Sequence, residues 1–132
     1  MEGTFHAILK LKIHKFVMSV YATSKSFPKE EKYGAISQIN RASLSIMLNY
    51  IEGFARRKEK VKLQFYEISH GSLKESKYLL YFAYCQKWIE DVPYRKIIRD
   101  AEEISRMLWS TIDNIEKRTV FNIFFFIFLL IS

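Results

Sequence analysis

Residues 94–118 carry apolar side chains at steps of three and four, the spacing that places them on one face of an α-helix. The members of this face are Ile97, Ala101, Ile104, Leu108, Thr111 and Ile115. Charged residues such as Arg99, Glu103 and Arg106 fall on the opposite side. The segment is therefore predicted to be an amphipathic helix that buries one stripe against neighbouring elements.

Three further helical segments are predicted at residues 5–26, 31–56 and 60–88. The expected buried stripes are Phe5, Leu9, Ile13, Phe16 and Val20 in the first of these, and Val61, Phe65, Ile68, Ser72, Ser76, Leu79 and Ala83 in the third. Breaks are expected near Pro28 and Pro93, because proline interrupts a helix. Four amphipathic helices with short connections predict an all-α fold, an antiparallel up-down-up-down four-helix bundle.

The composition agrees with a single helical domain. Four glycines and two prolines in 132 residues are too few for the many tight turns of an all-β protein. One cysteine, Cys85, cannot form an intramolecular disulfide, which favours a reducing compartment. The first residues also lack the basic and apolar regions of a secretory signal, so a cytoplasmic location is expected. Cys85 lies among apolar neighbours and is expected to fill the core.

No motif in the chain predicts an enzyme. Glu67 and His70 have the Glu-x-x-His spacing of di-iron bundles, but such a site needs a second copy, and His6 and His14 have no glutamate three residues before them. There is no glycine-rich phosphate loop or nucleophile elbow. We therefore expect no catalytic residues, no metal site and no cofactor.

The formal net charge is +7, which favours polyanionic partners such as RNA or DNA. The densest basic run is Arg56, Arg57, Lys58, Lys60 and Lys62, and a second candidate strip is Lys10, Lys12 and Lys15. Tyr66 is a candidate for stacking on a base. Two interpretations stay open: the cations bind phosphates, or they stabilise the end of a helix and keep the protein soluble.

A polar line crosses the otherwise apolar second segment. Arg41, Ser45, Asn49 and Glu52 step by four, four and three and so share one helical face. The line is predicted to be a hydrogen-bonded network that sets the helix register, with a small binding groove as the alternative. Gly53, Gly71 and Ser72 are predicted to mark a close helix crossing, because glycine inside a helix is otherwise destabilising.

The third and fourth segments have more aromatic surface than one buried stripe requires. The candidates for an interface between copies are Tyr78, Tyr81, Trp88 and Trp109. Large aromatic residues are enriched at protein interfaces, so a homo-oligomer is favoured over a monomer with wide buried stripes.

The last residues differ from the rest of the chain. Residues 119–132 contain no charge and are rich in phenylalanine and isoleucine, so they are treated as a hydrophobic tail that follows a bundle domain at 1–118. A membrane-spanning helix needs about 20 apolar residues, so membrane anchoring is not expected. The tail could extend the fourth helix into an interface, dip into a membrane surface, or hang as an aggregation-prone end.

The segment pattern and several short motifs resemble one protein family over about residues 5–118. The matching stretches are Phe27-Pro28-Lys29-Glu30-Glu31-Lys32-Tyr33-Gly34, Ser37-Gln38-Ile39-Asn40-Arg41-Ala42, Ser45-Ile46, Asn49, Glu52-Gly53, Arg56-Arg57 and Gly71-Ser72-Leu73-Lys74-Glu75. They resemble the four-helix-bundle proteins encoded in intervening sequences of bacterial 23S ribosomal RNA genes. Asn40 stands where that family often has a second arginine, Tyr50-Ile51 replaces a smaller pair, and the tail has no counterpart.

The resemblance implies an antiparallel bundle that assembles into a ring, expected to be a pentamer. A related branch is similar to the accessory proteins of diversity-generating retroelements, which are basic pentamers that act with a reverse transcriptase and nucleic acid. The function expected from the sequence is a non-enzymatic homo-oligomer that binds RNA or DNA through basic patches. The alternative is a protein–protein scaffold whose charge serves solubility.

Overall fold

The computed structural model describes residues 2–132, and among these residues the regular structure is entirely helical. The four α-helices are α1 (Glu2–Ser24), α2 (Ala35–Ala55), α3 (Glu59–Cys85) and α4 (Asp91–Ile131), and a short 3-10 turn at Lys29–Glu31 precedes α2. The four predicted segments are therefore all present.

The helices form a closed cycle of contacts: α1 packs on α2 and α4, and α3 packs on α2 and α4. The α2–α3 pair is the most extensive. Buried apolar side chains from all four helices meet in one core that runs along the bundle. The chain is thus an all-helical four-helix bundle.

The buried faces of α1 and α4 agree with the sequence prediction. Leu9, Ile13, Phe16 and Val20 of α1 are buried, with Phe5 half-buried at the end of the stripe, and so is the whole predicted stripe of α4. In each of these two helices, apolar residues at steps of three and four form one continuous row. The spacing alone therefore identifies the face that packs inward.

The predicted face of α3 is wrong at several positions. Ile68 is 50% exposed, whereas Tyr66, Leu73 and Leu80 are almost fully buried. Ser72, Ser76 and Ala83 of the predicted stripe are buried, and Ser69 is buried as well although it was not predicted. Small serine side chains let α3 lie close to α2, and Ser69 Oγ donates a hydrogen bond of 2.7 Å to the Ile46 carbonyl. The face of α3 that packs against α2 is therefore distinguished by small residues more than by hydrophobic ones.

The connection between α1 and α2 explains why α2 begins later than predicted. Residues 29–31 form the 3-10 turn, and Gly34 has φ −105° and ψ −115°, which is not helical. The Glu31 carboxylate accepts a hydrogen bond of 2.9 Å from the Ala35 N–H. One free N–H group of the first turn is thereby satisfied.

The fourth helix continues through the tail. It begins at Asp91, so Pro93 lies in the first turn, where a missing N–H is tolerated. From Val120 to Ile131 every large apolar side chain is between 45% and 80% exposed, and the core ends at Ile115. The tail is helical and projects beyond the bundle core.

Candidate nucleic-acid interface

The basic run lies at the turn between α2 and α3. α2 ends at Ala55, and the extended backbone at Arg56 (φ −79°, ψ 148°) and Lys58 (φ −77°, ψ 126°) carries the chain to the start of α3 at Glu59. Because this three-residue turn has no room to fold back on the core, Arg56, Arg57 and Lys58 are exposed.

Three cations of this region are available to a ligand. Arg57, Lys58 and Lys60 are exposed, and none of their side chains makes an ion pair or hydrogen bond with any residue between 3 and 132. The one carboxylate among these three cations, Glu59, pairs with Arg118, so the turn as a whole remains positive and favours polyanions. We call this group the basic turn.

The other two members of the predicted run have partners in the protein. Arg56 Nη2 lies 2.8 Å from Glu52 Oε2, one helical turn earlier, and its guanidinium sits 5.2 Å from the centre of the Phe65 ring. Lys62 Nζ donates hydrogen bonds to the carbonyls of Gly53 (3.2 Å) and Phe54 (2.9 Å). Lys62 therefore caps the C-terminus of α2, so it differs from the free cations of the basic turn.

The lysines of α1 do not form one strip. Lys10 lines the groove between α1 and α2, whereas Lys12 and Lys15 line the groove between α1 and α4. Lys12 Nζ also makes a 2.9 Å ion pair with Glu103 of α4. The prediction of a second strip is wrong, because residues two apart on a helix point in different directions.

The last turns of the bundle part of α4 add cations that the sequence analysis did not single out. Lys117 pairs with Asp113 at 2.8 Å, which raises the pKa of Lys117. Arg118 Nε lies 3.6 Å from the Glu59 carboxylate, next to the basic turn. Arg118 and Glu59 lie on different helices, so their positions in the sequence do not show that they are close together in the structure.

Tyr66 is unavailable for base stacking. It is 2% exposed and stacks on Tyr50, with ring centres 5.5 Å apart. Tyr50 is also hydrogen-bonded to His6 Nδ1. Burial, with a smaller effect of Tyr66, raises the pKa of Tyr50, so the hydroxyl stays protonated. The prediction for Tyr66 is wrong because its face of α3 packs against α2.

The polar line of α2 is divided between two environments. Ser45 Oγ and Ser72 Oγ are 2.8 Å apart, and Asn49 Nδ2 donates to Ser45 Oγ at 2.9 Å. The outer members differ: Arg41 is exposed, and Glu52 pairs with Arg56. The hydrogen-bonded centre of the line therefore connects α2 to α3.

The two glycines behave differently. A Cβ on Gly53 would lie 2.7 Å from Tyr66 Cε1, whereas a Cβ on Gly71 would have no neighbour within 4 Å. The close approach of α2 and α3 is therefore at Gly53, and the prediction for Gly71 is wrong. Ser72, one residue further along, faces α2 instead.

The aromatic candidates for an interface are mostly on the surface. Tyr78, Tyr81 and Trp109 are 64%, 52% and 55% exposed. Trp88 is half-buried and packs on Phe27 and against the core, so its assignment to an outer interface is wrong.

Two surface features were missed. Cys85 is exposed near Tyr81, which corrects the expectation that it fills the core. On α2, Leu44, Leu48 and Ile51 are 39%, 59% and 44% exposed and share one outward face. Their four- and three-residue spacing in the sequence is the signal that could have indicated this face.

Potential metal ligands are not clustered. Within residues 3–132, no three His, Cys, Asp or Glu side chains come close enough together to hold a metal ion. His70 instead contacts Ser105 through Nε2 at 3.1 Å and lies 5.7 Å from the centre of the Trp109 ring system.

Residues 8–110 match the family described as 23S rRNA-intervening sequence protein. The chain belongs to this family. The match includes the basic turn and most of the bundle, and it ends before the tail of α4.

A solved structure agrees with the fold of this family member. The crystal structure of a protein of unknown function from the S23 ribosomal protein family of Bacteroides thetaiotaomicron superposes with a TM-score of 0.73 at 23% sequence identity. The similarity covers 79% of this chain and 97% of that chain. No curated protein sequence matches significantly.

Within the described chain, none of the helices combines the length and the apolar character needed to cross a bilayer.

Proposed function

We propose that this family member is a non-enzymatic, homo-oligomeric bundle that binds RNA or DNA through the basic turn. The observation that carries the proposal is that Arg57, Lys58 and Lys60 are exposed and make no ion pair with residues 3–132, while Glu59 beside them pairs with Arg118. Such cations gain most from phosphates, because each contact releases counterions from the nucleic acid. The binding is expected to be to the backbone, with little base sequence preference.

We further propose an antiparallel up-down-up-down arrangement. His6 near the start of α1 contacts Tyr50 near the end of α2, while Ser24 at the end of α1 bonds to Asn40 near the start of α2. Gln38 near the start of α2 bonds to Glu75 in the second half of α3. Contacts between opposite ends of consecutive helices support this topology.

The proposed oligomer is a ring, five-membered as the family resemblance implies. Support comes from exposed apolar side chains on the outer faces of α2 and α3, which a monomer would leave in water. A ring would repeat the basic turn once per subunit, and several weak phosphate contacts would then act together. Light scattering measures the subunit number.

The direct test of nucleic-acid binding is the triple charge reversal Arg57→Glu, Lys58→Glu and Lys60→Glu. We expect at least about a tenfold loss of affinity for an RNA hairpin at low salt, with an unchanged helical circular dichroism spectrum. The matched control is Lys25→Glu, Lys29→Glu and Lys32→Glu, which changes the charge equally at the other end of α2. Equal losses in both variants would show that only net charge matters.

A second candidate function is a scaffold that recruits a protein. It is favoured by the exposed Tyr78, Tyr81 and Trp109, since aromatic residues dominate binding hot spots. A protein partner that remains bound after nuclease treatment and in high salt would support the scaffold over the nucleic-acid function.

A further inference from the structure

A groove of about 890 Å³ opens at the same end of the bundle as the basic turn. It lies between the start of α1, the α2–α3 turn and the last turns of the bundle part of α4. Its volume falls in the range of small-molecule sites, which are mostly apolar with a few well-placed polar groups.

One wall of the groove is aromatic. Phe5, His6 and Phe54 all line it. The His6 ring lies 5.2 Å from the Phe54 ring and meets the Phe5 ring edge-on at 5.6 Å. Phe54 is 52% exposed even though it is a large apolar residue. These rings form an accessible surface on which a planar group can pack.

The other residues that line the groove include cations, one amide and one carboxylate. They are Lys62, Lys117, Arg118, Asn114 and Glu59. Arg118 Nε lies 3.6 Å from the Glu59 carboxylate, and the two terminal NH₂ groups of Arg118 remain as donors. Lys62 uses two of its three N–H donors on helix carbonyls, and its ammonium group lies 5.7 Å from the centre of the Phe54 ring. An anionic group at the mouth would meet these donors.

We infer that this groove holds one unpaired nucleotide of a bound RNA or DNA strand. The base would pack on the Phe54 and His6 rings, and the attached phosphate would contact Arg118 and Lys62. The strand would then continue over Arg57, Lys58 and Lys60 by phosphate contacts alone. This inference rests on the proposed nucleic-acid function, and it adds a preference for unpaired ends or loops.

The test compares two RNA hairpins with equal numbers of phosphates. One ends in a single-stranded extension of three adenosines, and the other carries three abasic sugars in their place. Fluorescence anisotropy should show that the protein binds the first hairpin about tenfold more tightly, because an adenine base can stack on the aromatic rings and an abasic sugar cannot. Equal affinities would overturn the inference and leave the basic turn as the binding site.

The variant that fills the groove is Ser110→Leu with Asn114→Leu, since both residues are exposed and line it. It should bind both hairpins with the affinity that the wild type has for the abasic one. The matched control, Ser110→Ala with Asn114→Ala, should keep the tenfold preference. If the double leucine variant still prefers the adenosine hairpin, the base is recognised elsewhere and the inference is contradicted.

Two further binding measurements distinguish the remaining explanations. Charge reversal at the basic turn should weaken both hairpins equally and leave their ratio unchanged. Adenosine 5′-monophosphate should not displace the hairpin at comparable concentration, and displacement would assign the groove to a free nucleotide. If the wild type binds neither hairpin, the nucleic-acid function and the groove proposal both fail.

Discussion

Gly53 of α2 lies against the ring of Tyr66 of α3, so closely that a Cβ on Gly53 would stand 2.7 Å from Tyr66 Cε1 and 3.3 Å from the Lys62 carbonyl oxygen. Tyr66 cannot move aside easily, because it is buried and stacked on Tyr50. This contact sets the distance between α2 and α3 directly below the basic turn.

The first prediction concerns this contact. Gly53→Ala should lower the free energy of unfolding by about 1–3 kcal/mol, because the new methyl group overpacks the crossing. Gly71→Ala is the control: its Cβ meets nothing, so the better helix propensity of alanine should add about 0.5–1 kcal/mol. Urea denaturation measures both. Stabilisation by both substitutions would show that the α2–α3 contact is looser than described.

The second prediction concerns the hydrogen bond between Ser45 and Ser72. Each single alanine substitution should cost about 1 kcal/mol, and the double mutant should cost less than the sum, because both changes remove the same bond. A double-mutant cycle from denaturation curves gives the coupling energy. Strict additivity would mean that the two hydroxyls are bonded to water instead.

The sequence predicted α1 and α4 well and α3 poorly, for a physical reason. In α4 the apolar row is the buried row, so periodicity identifies it. In α3 the predicted stripe correctly includes Ser72 and Ser76, but it contains the exposed Ile68 and leaves out the buried Tyr66 and Leu73. Both sides of α3 carry large apolar residues, so the hydrophobic pattern alone could not show which side packs against α2.

Part of the candidate site was likewise predictable from the sequence, and part was not. The sequence located the basic run, because Arg57, Lys58 and Lys60 are adjacent in the chain. The sequence could not distinguish these three residues from Lys62, whose ammonium group binds carbonyls at the end of α2. That distinction depends on how α3 is positioned relative to α2. The groove beside them combines residues from four helices, and their convergence is visible only in three dimensions.

The third prediction is a pH dependence due to His70. Partial burial, followed by the positive charges of Lys74 and Lys77, lowers the pKa of His70 below its usual 6.5. The unfolded chain therefore binds a proton more readily than the folded protein in this range. Stability should be complete above pH 6.5 and should decline as the pH falls from 6.5 through the lower folded-state pKa.

The measurement is the free energy of unfolding between pH 5 and pH 7.5, compared with that of His70→Asn. The asparagine variant should lose this part of the pH dependence. A decline of equal size in both proteins would assign it to other titrating groups.

The fourth prediction uses Cys85 as a reporter of assembly. The thiol is exposed near Tyr81, so a thiol reagent should modify it in the folded, dilute protein. If subunits associate through the Tyr78 and Tyr81 face, modification should slow as protein concentration increases. If light scattering shows assembly but the rate of Cys85 modification stays constant, the interface lies instead on the outer face of α2 at Leu44, Leu48 and Ile51.

The fifth prediction concerns the tail. A chain that ends at Arg118 should have nearly the same unfolding free energy, within about 0.5 kcal/mol, because the tail contributes nothing to the core. It should also aggregate less, since the removed side chains are apolar and exposed. The control keeps the full length but carries Phe124→Lys and Phe128→Lys. A large loss of stability in the shortened chain would mean that the tail packs on the bundle.

The central claim is that the bundle binds nucleic acid through free cations at the basic turn, and salt dependence tests it most directly. The affinity for a labelled RNA hairpin is measured by anisotropy between 50 and 200 mM KCl. Three phosphate contacts predict a slope of log affinity against log salt of about −2 to −3, and charge reversal of Arg57, Lys58 and Lys60 should remove most of it. Affinity that does not change with salt, or no binding at 50 mM, would contradict the account.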